Sequence, residues 1–406
     1  MINRIAFICY HTCPLNAPGE GKSGGMNVYV SELAQALSAI GLEIDIFTRS
    51  HGTHDQIEQL NDSTRVIHLT DGSLEEEPSA LINSAPTFTK KLMKFVESTD
   101  IQYQIIHSHY WLSASIGRAL AGHLKIPHVT TFHTLAKLKM QSGIGGTEPP
   151  ARILAEESLI QTAEHIIAFS QNEKDAIVNF YGGRPQNVTT LPCGVDLSLF
   201  RPLEQKESLK QLDLSDHNVI LCVGRLESLK GIDVLINSTS HINSPKPLKV
   251  IIVGGDSDIT YRQNYLQSLV EKLHLSHVVR FEGRIPHDLL PVYYNAADVC
   301  VVPSQYESFG LVALEAMACG TPVIASRVGG LPTIIKHGST GYLKSWRCPE
   351  TFATSVEMII KNPNLQTTMG KNARLRAESM SWSNLANNIY EVYNSMVAPQ
   401  HNRKVS

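Results

Sequence analysis

Asp298-Val299-Cys300-Val301-Val302-Pro303-Ser304-Gln305-Tyr306-Glu307-Ser308-Phe309-Gly310-Leu311-Val312-Ala313-Leu314-Glu315-Ala316 reads as a strand, a loop and a helix. Val299 to Val302 is apolar at every position and is closed by Pro303 and Ser304, the pattern of a strand buried on both faces. An apolar helix begins near Phe309-Gly310, and between Val299 and Ala316 the only charges are Glu307 and Glu315. At about 100° per residue Glu315 is expected roughly two turns in, near the mouth of the loop that carries Glu307. That end of an open α/β sheet is where ligands bind. Two carboxylates there would accept hydrogen bonds from vicinal hydroxyls, and the amides of Phe309, Gly310 and Leu311 would face a phosphate. The same spacing also fits a helix-capping glutamate followed by a partly exposed helix glutamate.

Outward from this unit, short apolar runs alternate with helical patterns. They are Ile5–Tyr10, Glu43–Thr48, Ile105–His107, His128–Thr131, Ile166–Phe169 and Val188–Leu191, then Asn218–Val223, Lys249–Val253, Val278–Phe281, Val299–Val302 and Val323–Ala325. Strands separated by helices of ten or more residues give parallel sheets covered on both faces. A chain of 406 residues is too long for one ordinary core. We therefore expect two doubly wound, Rossmann-like α/β domains facing across a cleft. The first spans 1–200, a linker 201–216, the second 217–378, and 379–406 forms a terminal helix and tail whose packing the spacing leaves open.

Composition is that of a soluble globular protein, with 42% hydrophobic residues, 18% charged and a net charge of −3. Neither nucleic acid nor an anionic membrane is implied as a partner. The apolar start, Ile5 to Cys9, runs into His11 and a Pro/Gly loop without a small-residue cleavage site, so it reads as a strand rather than a signal peptide. Seven cysteines, an odd number set mostly in apolar contexts, point to reduced thiols and a cytoplasmic location. Cys9 and Cys13 have no second pair at matching spacing, and no metal site is expected.

Gly19-Glu20-Gly21-Lys22-Ser23-Gly24 formally satisfies G-x-G-x-x-G, but about ten residues separate it from the first strand, and Asn16 stands where a P-loop needs glycine. What remains is a Gly-rich loop leading into a helix from Met26 to Ile40, whose first amides can bind an anion. Arg225 and Lys230 follow the strand ending at Val223 and would reach a diphosphate in the cleft. Histidines cluster at His107-Ser108-His109 and at His133. Lys137, Lys139 and Arg152 form either an anion pocket with Lys22 or a basic loop surface. No hydrolase nucleophile motif appears.

Ser304 through Ala325, with its E-x7-E spacing, resembles the signature of the retaining group-1 glycosyltransferases of GT-B type, and the resemblance covers nearly the whole chain. Ser23 to Val30, His107 to Ser113 and Phe132 to Lys137 are similar to the D-inositol-3-phosphate glycosyltransferase branch, near sucrose-phosphate synthase. The resemblance implies transfer of a hexosyl unit from a nucleoside diphosphate sugar, UDP-sugar first, to an acceptor hydroxyl with retention. No cofactor or catalytic metal is required, and a homodimer is expected from the close branch.

It implies that Arg225 and Lys230 hold the diphosphate near Gly25, Phe309, Gly310 and Leu311. Glu315 takes the ribose, Glu307 the transferred sugar, Ile285 and Arg284 meet the base through backbone, and His133 contacts the donor sugar. His11, Asn27, Tyr110, Thr134 and Arg152 would position the acceptor. Where the branch carries a lysine for the acceptor phosphate this chain has Ser73-Leu74-Glu75-Glu76-Glu77, so the acceptor stays open between inositol phosphate and another phosphorylated sugar or polyol. A sucrose synthase-like transferase and a nucleotide-sugar epimerase are alternatives on the same architecture.

Overall fold

The computed structural model describes residues 2–16, 24–72, 78–143, 148–255, 261–345 and 347–397. The strands of the first half are β1 (Arg4–Ile8), β2 (Glu43–Arg49), β3 (Gln56–Asn61), β4 (Thr64–Leu69), β5 (Ile105–His109), β6 (His128–Thr131), β7 (His165–Ala168) and β8 (Val188–Thr190). They form one sheet in the order β3-β4-β2-β1-β5-β6-β7-β8, parallel except where β3 runs against β4. The second half contributes β9 (Asn218–Val223), β10 (Leu248–Val253), β11 (Val279–Gly283), β12 (Val299–Val302), β13 (Val323–Ser326) and β14 (Gly341–Lys344). Their order is β11-β10-β9-β12-β13-β14, all parallel.

Each sheet reverses its winding once, between β1 and β5 in the first and between β9 and β12 in the second. The registers there are Phe7 opposite His107 and Leu221 opposite Cys300. Both reversals open a crevice beyond the strand carboxyl ends, the general ligand position of doubly wound sheets. The two α/β halves thus present their crevices to each other, as GT-B folds do.

The helix Gly25–Ala39 buries Tyr29, Val30, Leu33, Ala34 and Leu37, a stripe at helical spacing that lies in the same apolar cluster as Phe7, Ile44 and Val129. The helix Leu311–Ala318 is buried nearly all round, which its uninterrupted apolar sequence dictates. The stretch 201–216 contains the helix Gln205–Gln211, which is tied to the second half where Gln205 Nε2 donates to Asp298 Oδ1 at 3.3 Å. The helix Trp382–Val397 crosses back to the first half. Tyr393 shares a 2.7 Å hydrogen bond with His107 Nδ1, and the Trp382 and Tyr29 rings meet edge-on at 5.7 Å. Among the described residues no helix is long and apolar enough to cross a membrane.

Candidate active site

A cavity of about 940 Å³ lies between the two crevices, and the sixteen residues to which the resemblance gives a role line it, Arg284 beside Ile285 among them. From the first half come His11 after β1, Tyr110 after β5, His133 and Thr134 after β6, Gly25 and Asn27 at a helix start, and Arg152. From the second come Arg225 and Lys230 after β9, Ile285 after β11, and Glu307, Phe309, Gly310, Leu311 and Glu315 after β12. Lys22 and the acidic run Ser73 to Glu77 lie outside the described residues.

The loop bearing Glu307 is held by glycines. Gly329 sits at φ +51, and a Cβ on it would stand 1.7 Å from the Glu307 carbonyl oxygen, while Gly330 N donates to that oxygen at 3.1 Å. Only glycine permits this approach and this φ together. Gly231, at φ +66, lets the turn after Lys230 touch the backbone of Pro303, where a Cβ would be 2.1 Å from its oxygen. The Glu307 carboxylate accepts a 2.7 Å charged hydrogen bond from Lys230 Nζ and a 3.3 Å bond from Ser304 Oγ. Arg225 pairs with Glu227 at 2.8 Å. Both cations expected to face a diphosphate therefore stand beside carboxylates.

Glu315 is the fifth residue of its helix, little more than one turn in rather than two, and is 5% exposed. The reading of a partly exposed helix glutamate thus gives way to a buried, doubly engaged one. Its Oε2 accepts from Tyr294 OH at 2.7 Å and its Oε1 from His287 Nε2 at 3.0 Å. Burial pushes the His287 pKa down, but Glu315, Glu32 and Asp196 outweigh it and raise the pKa above the ordinary value of 6.5. A carboxylate has about four acceptor sites, so Glu315 retains capacity for two hydroxyls. The amides of Phe309, Gly310 and Leu311 meet no protein acceptor among the described residues and line the cavity beside it. Gly25 comes close enough that a Cβ there would lie 3.2 Å from Leu311 Cδ1, so the two helix starts nearly touch across the cleft.

Opposite them, Arg152 is almost fully committed. Its Nε donates to Glu156 at 2.7 Å, Nη1 to Glu148 at 2.8 Å, and Nη2 to Thr134 Oγ1 at 2.9 Å. Lys139 donates to the other oxygen of Glu148 at 2.6 Å. The Arg152 guanidinium lies 5.1 Å from the Tyr110 ring centroid, and Tyr110 in turn stacks against His11 at 4.2 Å. Asn27 is only 1% exposed, and its amide donates to Thr12 Oγ1 and to the Cys13 carbonyl, so it pins the loop after β1. Tyr306 crosses from the second half to accept a 3.4 Å bond from Leu135 N.

His133 stands at φ +63, with Thr134 N bonded to Phe132 O at 2.7 Å around it. A three-residue turn at positive φ is sparsely populated for a side-chain-bearing residue and marks a backbone held for a purpose. Burial, then His107 and His11, holds its pKa well below the usual imidazole value, so the ring is neutral. Glu156 was within reach of sequence reasoning, since it lies four residues after Arg152 on the helix Pro150–Thr162, while Glu148 reaches Arg152 from just before that helix. His287 and Tyr294 carry no such local signal.

Two family models match the chain. Residues 204–376 match the model described as glycosyl transferases group 1, and residues 23–199 the one described as Glycosyltransferase Family 4. The D-inositol 3-phosphate glycosyltransferase of Thermobifida fusca is 37% identical over 96% of this chain and 93% of its own length. The chain belongs to the group 1 glycosyltransferases. The enzyme of the same name from Corynebacterium kroppenstedtii is 34% identical over 97% of this chain and 90% of its own. Among solved structures, the sucrose-phosphate synthase of Thermosynechococcus elongatus superposes with a TM-score of 0.90 at 33% identity, covering 98% of this chain and 99% of its own. Anabaena HepE, solved with UDP-glucose, shares the fold at 19% identity and a TM-score of 0.76, covering 97% of this chain and 99% of its own. These relatives match this group 1 glycosyltransferase over nearly its whole length.

Proposed function

We propose that this glycosyltransferase moves a hexosyl unit from a nucleoside diphosphate sugar, UDP-sugar first, to a hydroxyl of a phosphorylated polyol or sugar, with retention at the anomeric carbon. The observation that carries the reading is the single cavity whose two walls hold different chemistry. One wall offers two cations, unused helix amides and the Glu307 and Glu315 carboxylates; the other offers Arg152, Lys139, Thr134 and Tyr110. In this reading the second half binds the donor, the first binds the acceptor, and 201–216 links them. The names of the relatives, D-inositol 3-phosphate glycosyltransferase and sucrose-phosphate synthase, support a phosphorylated acceptor.

The C1–O bond to the diphosphate breaks, and the charge left on the departing oxygen meets Arg225, Lys230 and the amides of Phe309 to Leu311. The acceptor oxygen bonds to C1 from the same face, and its proton passes to the departing phosphate oxygen. Glu307 then serves the hydroxyls of the transferred sugar and Glu315 those of the ribose. Metal-independent catalysis follows, because the protein itself supplies the counter-charge. Closure of the halves excludes water from the donor.

A panel of radiolabelled UDP-hexoses against D-inositol 3-phosphate, fructose 6-phosphate and unphosphorylated sugars tests this. Acceptor-dependent transfer, with the product anomer read by NMR, is expected. Conversion of donor to an epimer without acceptor would replace the reading by the epimerase one.

A further inference from the structure

Behind His133, away from the cavity, stands a second imidazole to which nothing above gives a role. His109, the last residue of β5, is fully buried, and its Nδ1 lies 3.1 Å from His133 Nε2. One nitrogen must donate and the other accept. Burial and the neighbouring His133 hold the His109 pKa far below its ordinary value, as burial does for His133, so both rings are neutral and each carries one N–H. The two possible directions leave different debts.

If His133 donates, His109 must carry its hydrogen on Nε2. That nitrogen is buried and has no hydrogen-bond partner. An orphaned N–H would result, on a ring whose centroid lies 4.8 Å from that of Phe7, 4.4 Å from that of His107 and 5.8 Å from that of Tyr29. N–H to ring contacts compensate only to second order. If His109 donates from Nδ1, the unmatched group is a bare lone pair instead. Buried N–H groups without an acceptor are the rarer of the two in folded proteins.

We infer that His109 is a positioning residue that donates its Nδ1–H to His133 Nε2 and thereby fixes His133 as the Nδ1–H tautomer. His133 Nδ1 has no protein partner among the described residues, and the ring borders the cavity. It is then a hydrogen-bond donor to an oxygen of the bound donor sugar and has no free lone pair with which to act as a base. The turn at φ +63 aims the ring, and the edges of Tyr29 at 5.0 Å and Phe169 at 5.3 Å hold its plane. This deepens the proposed reaction and rests on it for the ligand, while the tautomer itself does not depend on any ligand.

The full chain labelled with ¹⁵N-histidine gives the test, through long-range proton–nitrogen correlations assigned with His133→Ala. His133 should show a protonated, pyrrole-like Nδ1 and an unprotonated Nε2. His109→Asn places a side-chain amide donor near the Nδ1 position and should keep both the tautomer and transfer within a few-fold. His109→Phe keeps a ring without the donor; it should release the tautomer and lower kcat/KM for the donor by about tenfold, the upper range for a lost neutral hydrogen bond. A protonated Nε2 on His133 in the native chain overturns the inference, as does equal loss of transfer in the Asn and Phe variants at matched thermal stability. Failure of the reaction reading shows separately, as absence of acceptor-dependent transfer by the native chain with its tautomer signals as stated.

Discussion

Glu307→Gln should have opposite effects on nucleotide binding and on transfer. Lys230 Nζ lies 2.7 Å from Glu307 Oε2, with the side chains 26% and 15% exposed. A pair at about 4 Å is worth about 4 kcal/mol at an effective dielectric near 20, before desolvation, whereas fully exposed pairs measure about 0.2–1 kcal/mol. A half-buried pair falls between. An incoming diphosphate must share Lys230 with this carboxylate and is repelled by it. Neutralising Glu307 removes that repulsion, and a gain of about 1 kcal/mol makes free UDP bind roughly fivefold tighter.

The donor sugar then loses a charged acceptor for its hydroxyls, and hydrogen bonds to charged groups contribute about 1.5–3 kcal/mol. Turnover with UDP-sugar should therefore fall about 10- to 100-fold. Calorimetric titration with UDP, beside initial rates with the full donor, reads both arms. Weaker or unchanged UDP binding would show that the ion pair does not compete with the diphosphate, and the reasoning would fail.

Arg152→Lys removes the fork that spans Glu156, Glu148 and Thr134, so the KM for a phosphorylated acceptor should rise at least about tenfold while the donor KM stays put. Initial rates varied in each substrate separate the two. Gly329→Ala forces a Cβ into the Glu307 carbonyl at an unfavourable φ, and about 2–4 kcal/mol of stability should be lost, seen as a lower thermal midpoint and weaker donor binding. The raised His287 pKa stabilises the fold fully below about pH 6.5, the ordinary value, and that contribution is lost as pH climbs through the raised one. Urea midpoints should thus fall more steeply above neutrality in the native chain than in His287→Gln, and parallel curves would refute the assignment.

The doubly wound halves were legible where a strand is an apolar run followed by punctuation, as Val299 to Val302 is by Pro303 and Ser304. Strands without that pattern went unread. β3 is Gln56-Ile57-Glu58-Gln59-Leu60-Asn61, a largely exposed edge with few apolar residues, and β14 is four residues beginning with glycine. Both lie at sheet margins, where pairing rather than burial makes the strand; β4, Thr64-Arg65-Val66-Ile67-His68-Leu69, is interior and buried and also went unread, because Arg65 and His68 interrupt its apolar run. Arg225, Lys230 and Glu307 stood out because they follow strand ends, whereas His11, Asn27, Tyr110 and Thr134 were singled out by the resemblance alone. Their partners were not: Tyr294 and His287 reach Glu315 from 21 and 28 residues away, a proximity that only the packing of helix on helix creates. Asn27 shows the converse, a polar residue in the right motif whose donors turn inward.

The cations of both walls share one arrangement. Lys230 meets Glu307, Arg225 meets Glu227, Lys139 meets Glu148, and Arg152 meets both Glu148 and Glu156. A bare phosphate entering either wall must share a cation with a carboxylate that then loses part of its partner, and an underpaired, half-buried carboxylate is costly. A phosphate that carries hydroxylated carbon beside it brings donors to the same carboxylate and offsets that cost. Pre-paired cations therefore discriminate against inorganic phosphate, an abundant competitor, in favour of anions that are also polyols. Nucleotide sugars and sugar or inositol phosphates are such anions, and on the proposed function one device would suit both walls of this cleft.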